Sequence, residues 1–283
     1  MNAVRTVNPS QVAKKILLLL VAASGALMPE GKANDYPKVP PEMVPVIQGM
    51  EAGMSAEPVK IPWRLFVPEG AEPGGANKFP LIFFLHGAGR RGSDNVGPME
   101  LASTFWGEKQ KEFPCFVLAP QCPRGSTWTP LPFVEGSRNQ RGNYTAEEKP
   151  MDTMQAALNV LEEVLAKWPV DRKRVYVMGM SMGGYGTWEA LMRRPNQWAA
   201  AVPICGGGDP SRVAAYKDVP IWVWHGENDA VVPAANSRTM IEALREAGGQ
   251  PKYTELKKVN HGSWGPAFQT PELSTWLFAQ QRP

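Results

Sequence analysis

The chain has 283 residues, 43% of them hydrophobic and 20% charged, which is enough for the core of one α/β domain or of two small ones. Four of the 30 basic residues and one of the 27 acidic residues lie in residues 1–33, so the rest of the chain carries 26 residues of each sign. This neutral body gives no reason to expect nucleic acid or an anionic membrane as a partner.

The first 33 residues have the pattern of a secretory signal. Basic residues precede the apolar run Ile16–Ala23, and small residues follow it. The run is shorter than the ~20 residues that cross a bilayer, although an uncleaved anchor or a frayed N-terminal helix would give a similar pattern. We expect cleavage after Ala26 or Ala33 and an exported protein, periplasmic or extracellular, with no stable membrane association after cleavage.

Residues 34–60 are dotted with prolines and predict an irregular arm, whereas residues 61–283 predict one domain. The predicted strands cover residues 61–67, 79–85, 115–120, 175–178, 199–204, 220–224 and 253–259. The predicted helices cover residues 99–111, 151–168, 185–194, 234–247 and 271–280. Strands that alternate with helices indicate an α/β fold with a mostly parallel, doubly wound sheet flanked by helices. Active sites in such sheets lie beyond the C-terminal strand ends.

Three cysteines are an odd number for an exported protein. Cys115 and Cys122 flank a predicted strand, which would separate them by ~23 Å, far beyond disulfide reach. Cys205 follows another strand. We expect free and mostly buried thiols. No spacing of His and Cys predicts a metal site, and we expect no cofactor.

The stretch Gly179-Met180-Ser181-Met182-Gly183 lies between a predicted strand and a predicted helix. Strand, tight turn with a central serine, and helix are the context of a nucleophile elbow. Side chains at Gly179 and Gly183 would collide with the neighbouring strand and helix, which explains the two glycines. We therefore predict that Ser181 is a nucleophile, with an ordinary glycine-rich turn as the alternative.

A serine nucleophile needs a base, and the chain has only three histidines. His261 follows the last predicted strand, where the base of such a sheet must lie, so it is the predicted base; a polar loop residue is the alternative. His86 precedes the serine in the chain and opens a glycine turn, and we expect it to hold that loop by hydrogen bonds. His225 ends a strand and is expected to be structural.

The base needs an orienting acid, for which Asp229 is the first candidate because it follows the penultimate strand. Glu227 is a rival nearer the strand end, and Asp209 follows an earlier strand. Once the serine attacks a carbonyl, the backbone N–H groups of Ala88 and Met182 are the predicted oxyanion hole.

At this point the chain resembles the α/β-hydrolase superfamily, in particular the dienelactone hydrolase and phospholipase/carboxylesterase-like group, including secreted carboxylesterases similar to the prolyl oligopeptidase catalytic domain. The resemblance spans about residues 60–280. The matching segments are Phe-Leu-His-Gly-Ala-Gly (84–89), Gly-Ser-Asp-Asn (92–95), Leu-Ala-Pro-Gln-Cys-Pro (118–123), Gly-Met-Ser-Met-Gly-Gly-Tyr-Gly-Thr-Trp (179–188), Trp-His-Gly-Glu-Asn-Asp-Ala-Val-Val-Pro (224–233) and Asn-His-Gly-Ser-Trp (260–264).

The resemblance implies an α/β-hydrolase catalytic domain in residues 61–283, with the triad Ser181, Asp229 and His261 and the oxyanion donors Ala88 and Met182. Dienelactone hydrolases proper use a cysteine nucleophile, so Ser181 favours plain ester hydrolysis instead. The implied function is a serine carboxylesterase. A prolyl-oligopeptidase-like peptidase is the alternative enzyme, and a non-catalytic binding module on this fold is the alternative outside enzymes.

The connection over residues 121–149 is too long for an ordinary loop and should be functional. Its Trp128, together with Trp264 after the predicted base, is expected to line the substrate cleft, with ordinary loop packing as an equal alternative. The connection is too polar and proline-rich for a lipase-like lid. We therefore expect short-chain or aryl esters, or acetyl or feruloyl groups on polysaccharide, rather than long-chain lipids. The sequence does not predict an oligomeric state.

Overall fold

The computed structural model describes residues 50–55, 58–98 and 109–283, all of which fall within one compact unit of the chain. These residues form an eight-stranded sheet in the order β1-β2-β4-β3-β5-β6-β7-β8. β1 pairs with β2 and β2 with β4 in antiparallel fashion, while β3 to β8 pair in parallel. The predicted mostly parallel α/β sheet is therefore confirmed.

The strands are β1 Met50–Met54, β2 Pro62–Phe66, β3 Phe79–Leu85, β4 Phe116–Pro120, β5 Val170–Met180, β6 Ala200–Ile204, β7 Trp222–Gly226 and β8 Lys252–Leu256. The α-helices are α1 Asp152–Lys167, α2 Met182–Arg193, α3 Ala234–Glu246, α4 Trp264–Gln269 and α5 Pro271–Ala279. Within the described residues, 3-10 helices span Ala88–Arg90 and Pro210–Tyr216. None of the helices within the described ranges is long and apolar enough to cross a bilayer.

The sheet has a separate hydrophobic core on each face. Along β3, Leu81, Phe83 and Leu85 pack into one core, with α1, α2 and α3. Ile82 and Phe84 point to the other face and pack into the second core, with α4 and α5. Because both faces are covered, the central strands are continuous apolar runs, which is the pattern that predicted them.

The structure differs from the sequence prediction at several elements. The predicted irregular arm is wrong at Met50–Met54, because this segment pairs with β2 as an edge strand. β5 begins at Val170 rather than at residue 175, while α4 and the 3-10 helix Pro210–Tyr216 were not predicted at all. Residues 34–49 and 56–57 of the predicted arm, the signal segment 1–33 and most of the predicted helix 99–111 lie outside the described residues.

Candidate active site

Ser181 occupies the sharp turn between β5 and α2. Its backbone angles, φ 55° and ψ −120°, are strained for a residue with a side chain. Two backbone hydrogen bonds hold this turn: the Ser181 N–H donates to the Ile204 carbonyl at 2.9 Å, and the Ser181 carbonyl accepts from the Tyr185 N–H at 3.0 Å. The turn places the serine at the C-terminal strand ends of the sheet, as the sequence predicted.

The two glycines of the turn are required by close backbone contacts. A Cβ atom on Gly183 would lie 1.8 Å from the carbonyl oxygen of Leu85, and one on Gly179 would lie 2.4 Å from the carbonyl oxygen of Gly183. No real Cβ tolerates such a distance from backbone that is itself held in place by the sheet and by α2. The predicted reason for both glycines is confirmed.

The structure brings Ser181, His261 and Asp229 into one line of hydrogen bonds. Oγ of Ser181 lies 2.8 Å from Nε2 of His261, and Nδ1 of His261 lies 2.6 Å from Oδ2 of Asp229. A carboxylate can only accept, so Nδ1 carries the proton and Nε2 is free to accept from the serine hydroxyl. This is the geometry of a nucleophile, a base and an orienting acid.

Asp229 is buried and yet ionised. Its Oδ1 accepts the backbone N–H groups of Val231 and Val232, each at 2.9 Å. Burial by itself raises the pKa of this carboxyl, but hydrogen bonds from His225 and His261 outweigh that effect and hold the pKa well below its usual value. The carboxylate therefore keeps its charge at neutral pH, which suits it to stabilise a cationic His261.

The two rival acids form hydrogen bonds with residues other than histidine. The carboxylate of Asp209 accepts from the backbone N–H and hydroxyl of Ser211 and from the N–H of Ala146. Glu227 is exposed and accepts from the Lys258 N–H at 3.1 Å. Neither residue bonds to a histidine, so of the three carboxylates weighed from the sequence only Asp229 is placed to orient His261.

His225 is fully buried behind the acid. Its Nδ1 lies 2.7 Å from Oγ of Ser237, and its Nε2 lies 2.7 Å from the Val232 carbonyl oxygen and 3.3 Å from Oδ2 of Asp229. The structural role predicted for this histidine is confirmed, but the sequence analysis missed its contact with Asp229. The available signal was the spacing of the two residues, since His225 lies at the end of β7 and Asp229 follows it by four positions.

The predicted oxyanion donors each open a helical segment. Ala88 begins the 3-10 helix after β3, and Met182 begins α2 directly after the serine. N–H groups at the first position of a helix have no acceptor within it, so both are available to a negatively charged oxygen. A Cβ atom on Gly87 would lie 3.6 Å from Cβ of Ser181, which shows how closely the Ala88 loop passes the nucleophile.

His86 and Trp128 are buried beneath this loop. Nδ1 of His86 donates to the Gly87 carbonyl at 2.7 Å, Nε2 accepts from the Cys122 N–H at 3.0 Å, and Nε1 of Trp128 donates to the His86 carbonyl at 3.0 Å. The loop-holding role predicted for His86 is confirmed. The prediction that Trp128 lines the cleft is wrong, because its side chain is fully buried in the core.

The buried position of His86 makes the free energy of unfolding depend on pH. Burial lowers its pKa from 6.5 to about 4, because the charged imidazole would lose its hydration. A proton on Nε2 would also face the Cys122 N–H, another donor. The pKa of His86 is lower in the folded protein than in the unfolded chain, so the neutral imidazole adds to the free energy of unfolding above pH 6.5. This contribution, up to about 3 kcal/mol, is lost as the pH falls towards 4. Urea unfolding between pH 7 and 4 should show this loss, and a smaller one in His86→Gln. Equal losses in both proteins would contradict it.

Hydrogen bonds fix the connection over residues 121–149 to the loop after β6 and to α2. Asn143 accepts from the Gly208 N–H at 3.0 Å, and Arg193 of α2 donates to the carbonyls of Glu147 and Glu148 at 2.8 and 2.6 Å. The partly exposed Trp264 contacts the His261 ring edge to face, with ring centroids 5.5 Å apart. Trp264 thus lies beside the base, where the sequence placed it.

The cysteines are free and buried, as predicted. In the part of the chain that the structure describes, one group of potential metal ligands is found, Cys205 with Asp229 and His261, whose ligand atoms lie within 4.8 Å of one another. Burial raises the pKa of the Cys205 thiol far above its usual value, so the thiol stays protonated and is a poor ligand. Asp229 and His261 are hydrogen-bonded to each other. This donor set does not fit a metal.

The part of the chain that contains this site is similar in sequence to known proteins. Residues 132–263 match the dienelactone hydrolase family, and the match contains Ser181, Asp229 and His261. Over 194 residues the chain is 26% identical to a bifunctional acetylxylan esterase/xylanase of Neocallimastix patriciarum; the alignment covers 69% of this chain and 25% of that protein.

Among solved structures, a thermostable esterase is 42% identical with a TM-score of 0.73, over 84% of this chain and 64% of that one. A CE1 ferulic acid esterase from Anaeromyces mucronatus, in complex with ferulic acid, is 12% identical with a TM-score of 0.53, over 80% and 91% of the two chains. An identity this low shows the fold alone. The chain spans less than two thirds of the length of the thermostable esterase and of the bifunctional relative.

Proposed function

We propose that the protein is a serine carboxylic ester hydrolase, because residues 132–263 match the dienelactone hydrolase family and the described residues have the fold of a related esterase. The observation that carries the proposal is the hydrogen-bonded line from Ser181 through His261 to Asp229, at 2.8 and 2.6 Å. The thermostable esterase, at 42% identity, supports the same reaction class.

The reaction is acyl transfer in two steps. Nε2 of His261 takes the proton of Ser181 as Oγ attacks the ester carbonyl carbon, and a tetrahedral oxyanion forms. The imidazolium then gives this proton to the leaving alkoxide oxygen as the C–O bond breaks, which leaves an acyl-serine. Water, deprotonated by His261, attacks the acyl-serine, and His261 returns the proton to Oγ of Ser181 as the acyl C–O bond breaks and the acid is released. Asp229 holds the imidazole tautomer and stabilises the cation in both steps.

The oxyanion accepts from the backbone N–H groups of Ala88 and Met182. Both donors are fixed before substrate arrives, one by the bonds of His86 beneath its loop and the other by α2, so little reorganisation accompanies the charge. The positive end of the α2 dipole adds to this stabilisation at the serine.

For the substrate, we propose short-chain or aryl esters, including acetyl or feruloyl groups carried by polysaccharide. The polar connection over residues 121–149 does not form an apolar lid, and Trp264 beside His261 offers an aromatic wall at the reacting centre. The acetylxylan esterase activity in the name of the bifunctional relative, and the ferulic acid esterases that share the fold, agree with this class.

A panel of esters tests this proposal. We expect kcat/KM for p-nitrophenyl esters to be highest at short acyl chains and to fall as the chain lengthens, and we expect acetylated and feruloylated polysaccharide to release acid. Peptide p-nitroanilides serve as the comparison, because a peptidase is the alternative on this fold. A maximum at acyl chains of about ten carbons or longer, or a preference for peptides, would contradict the proposal.

The remaining proposals concern the ends of the domain and export. Residues 1–33 are proposed to be a removed signal, and the proposed catalytic domain includes β1 at Met50–Met54 in addition to residues 61–283. N-terminal sequencing of the protein secreted by its host should find a chain beginning at Leu27 or Asn34. A secreted chain that still begins at Met1 would contradict it.

A further inference from the structure

Two exposed hydrophobic side chains lie on segments that are hydrogen-bonded to each other beside the proposed acid. Among the described residues, three large hydrophobic side chains are exposed: Met54 at 55%, Phe133 at 52% and Val231 at 44%. Single exposed apolar residues are common and mean little. Phe133 and Val231, however, are joined through one residue, because Arg141 pairs with Phe133 in an antiparallel bridge and donates its N–H to the Val231 carbonyl at 2.9 Å.

Phe133 is held in place before any ligand arrives. Residues 132–142 form a small hairpin, closed by hydrogen bonds from Val134 N–H to the Gln140 carbonyl and from Gly142 N–H to the Pro132 carbonyl, each at 2.9 Å. The guanidinium of Arg141 lies 3.5 Å from the centre of the Phe133 ring and covers one of its faces. An ordered aromatic ring with one face free is preorganised for stacking, which lowers the entropic cost of binding.

The hairpin is also fixed to the catalytic residues. Val231, which accepts from Arg141, donates its own N–H to Oδ1 of Asp229 at 2.9 Å. The carbonyl of Arg141 accepts from Nδ2 of Asn236 at 2.7 Å and from the hydroxyl of Tyr185, one turn into the helix behind the nucleophile. The two side chains therefore stand at a set position beside the acid, on the same strand-end edge as Ser181.

We propose that Phe133, Val231 and Arg141, here called the rim platform, bind the sugar chain that carries the ester. This inference rests on the proposed function. In that reaction His261 protonates the leaving alcohol, so the alcohol lies on the His261 side of the serine, away from the Ala88 loop. The rim platform adjoins Asp229, which backs His261, and so it lies on the alcohol side rather than on the oxyanion side.

The chemistry of the rim platform fits a neutral sugar. A pyranose ring presents an apolar C–H face, which stacks on an aromatic ring, and a rim of hydroxyl groups, which bond to planar polar side chains. Arg138, Asn139 and Gln140 in the same hairpin and Arg141 itself supply such groups, and Nη1 of the Arg141 guanidinium donates to the Leu131 carbonyl at 2.8 Å. Sugar hydroxyl groups bond to these donors in place of water, whereas an alkyl chain offers them no acceptor, which favours a sugar over a lipid here.

The test measures how activity depends on sugar-chain length. The substrates are acetylated xylose and a series of longer acetylated xylo-oligosaccharides. In the wild-type protein kcat/KM should rise with chain length, mostly through a lower KM. In Phe133→Ala the ratio of kcat/KM for the long over the short substrates should fall about three- to tenfold. Phe133→Trp, which keeps a ring for stacking, should retain the length dependence.

Met54→Ala is the matched control, because it removes the third exposed hydrophobic side chain, at the opposite edge of the sheet on β1. Its length dependence should equal that of the wild-type protein. An unchanged ratio in Phe133→Ala would overturn the proposal, and so would an equal loss in Met54→Ala. Loss confined to feruloyl esters would assign the platform to an aromatic acyl group instead and would also overturn it. Failure of the proposed function is separate, since it would appear as a wild-type protein inactive on p-nitrophenyl acetate.

Discussion

Replacing Ser181 with alanine is expected to lower kcat for p-nitrophenyl acetate by ~10⁴-fold or more. The substitution removes the hydroxyl oxygen that lies 2.8 Å from Nε2 of His261, so neither serine attack on the carbonyl nor an acyl-enzyme remains possible. The residual rate should come from the oxyanion donors and substrate binding alone. Steady-state kinetics on purified protein measures the effect.

The fold should survive this change. The contacts that hold the turn are backbone hydrogen bonds, from Ser181 N–H to the Ile204 carbonyl and from Tyr185 N–H to the Ser181 carbonyl, and alanine retains both. Thermal unfolding of the variant should therefore match that of the wild-type protein within the range of ordinary surface changes, about 0.5 kcal/mol. Turnover close to the wild-type value in a folded Ser181→Ala protein would refute Ser181 as the nucleophile.

The second large effect is expected from Asp229→Asn, which should lower kcat by about 10⁴-fold at neutral pH. The carboxylate accepts Nδ1–H of His261 at 2.6 Å, and two backbone N–H groups fix its other oxygen. Asparagine keeps the shape, but its carbonyl oxygen is drawn to those two N–H groups, so that its NH₂ faces Nδ1. The imidazole then takes the tautomer with the proton on Nε2 and can no longer accept from Ser181.

Asp209→Asn and Glu227→Gln are matched controls for this variant, since each removes the charge of a rival acid without changing its shape. Asp209 accepts from Ser211 and Ala146, and Glu227 accepts from Lys258, so neither change alters the bonds of His261. Both variants should keep kcat within a fewfold of the wild-type value. A loss of several orders of magnitude in kcat in either control, with Asp229→Asn still active, would show that Asp229 is not the orienting acid.

Much of the fold was predictable because its central strands are buried on both faces. That burial makes β3, for example, a continuous apolar run with sharp ends, and the alternating three- and four-residue spacing of apolar residues in α1 follows from its single buried face. The site residues were predictable for a related reason. Parallel strands end at one edge of the sheet, so Ser181, Asp229 and His261 could be matched to strand ends without knowing any distance.

The rest depended on tertiary contacts that carry no local pattern. β1 lies at an edge of the sheet and has no alternating signal strong enough to stand out among prolines. Trp128 sits in a polar connection, where nothing in the sequence shows that its ring is buried against the His86 ring. The rim platform exists only because a bridge and one backbone bond bring Phe133, Arg141 and Val231 together across 98 positions of the chain.

The most direct test of the central claim is labelling with a fluorophosphonate, which reacts with an activated serine. Wild-type protein is incubated with the probe, digested, and mapped by mass spectrometry, with Ser181→Ala and the heat-unfolded protein as controls. We predict a single stoichiometric adduct on Ser181, slowed strongly in Asp229→Asn and absent from both controls. An active esterase that carries no adduct on Ser181, or that is labelled and inhibited at another residue, would contradict the account.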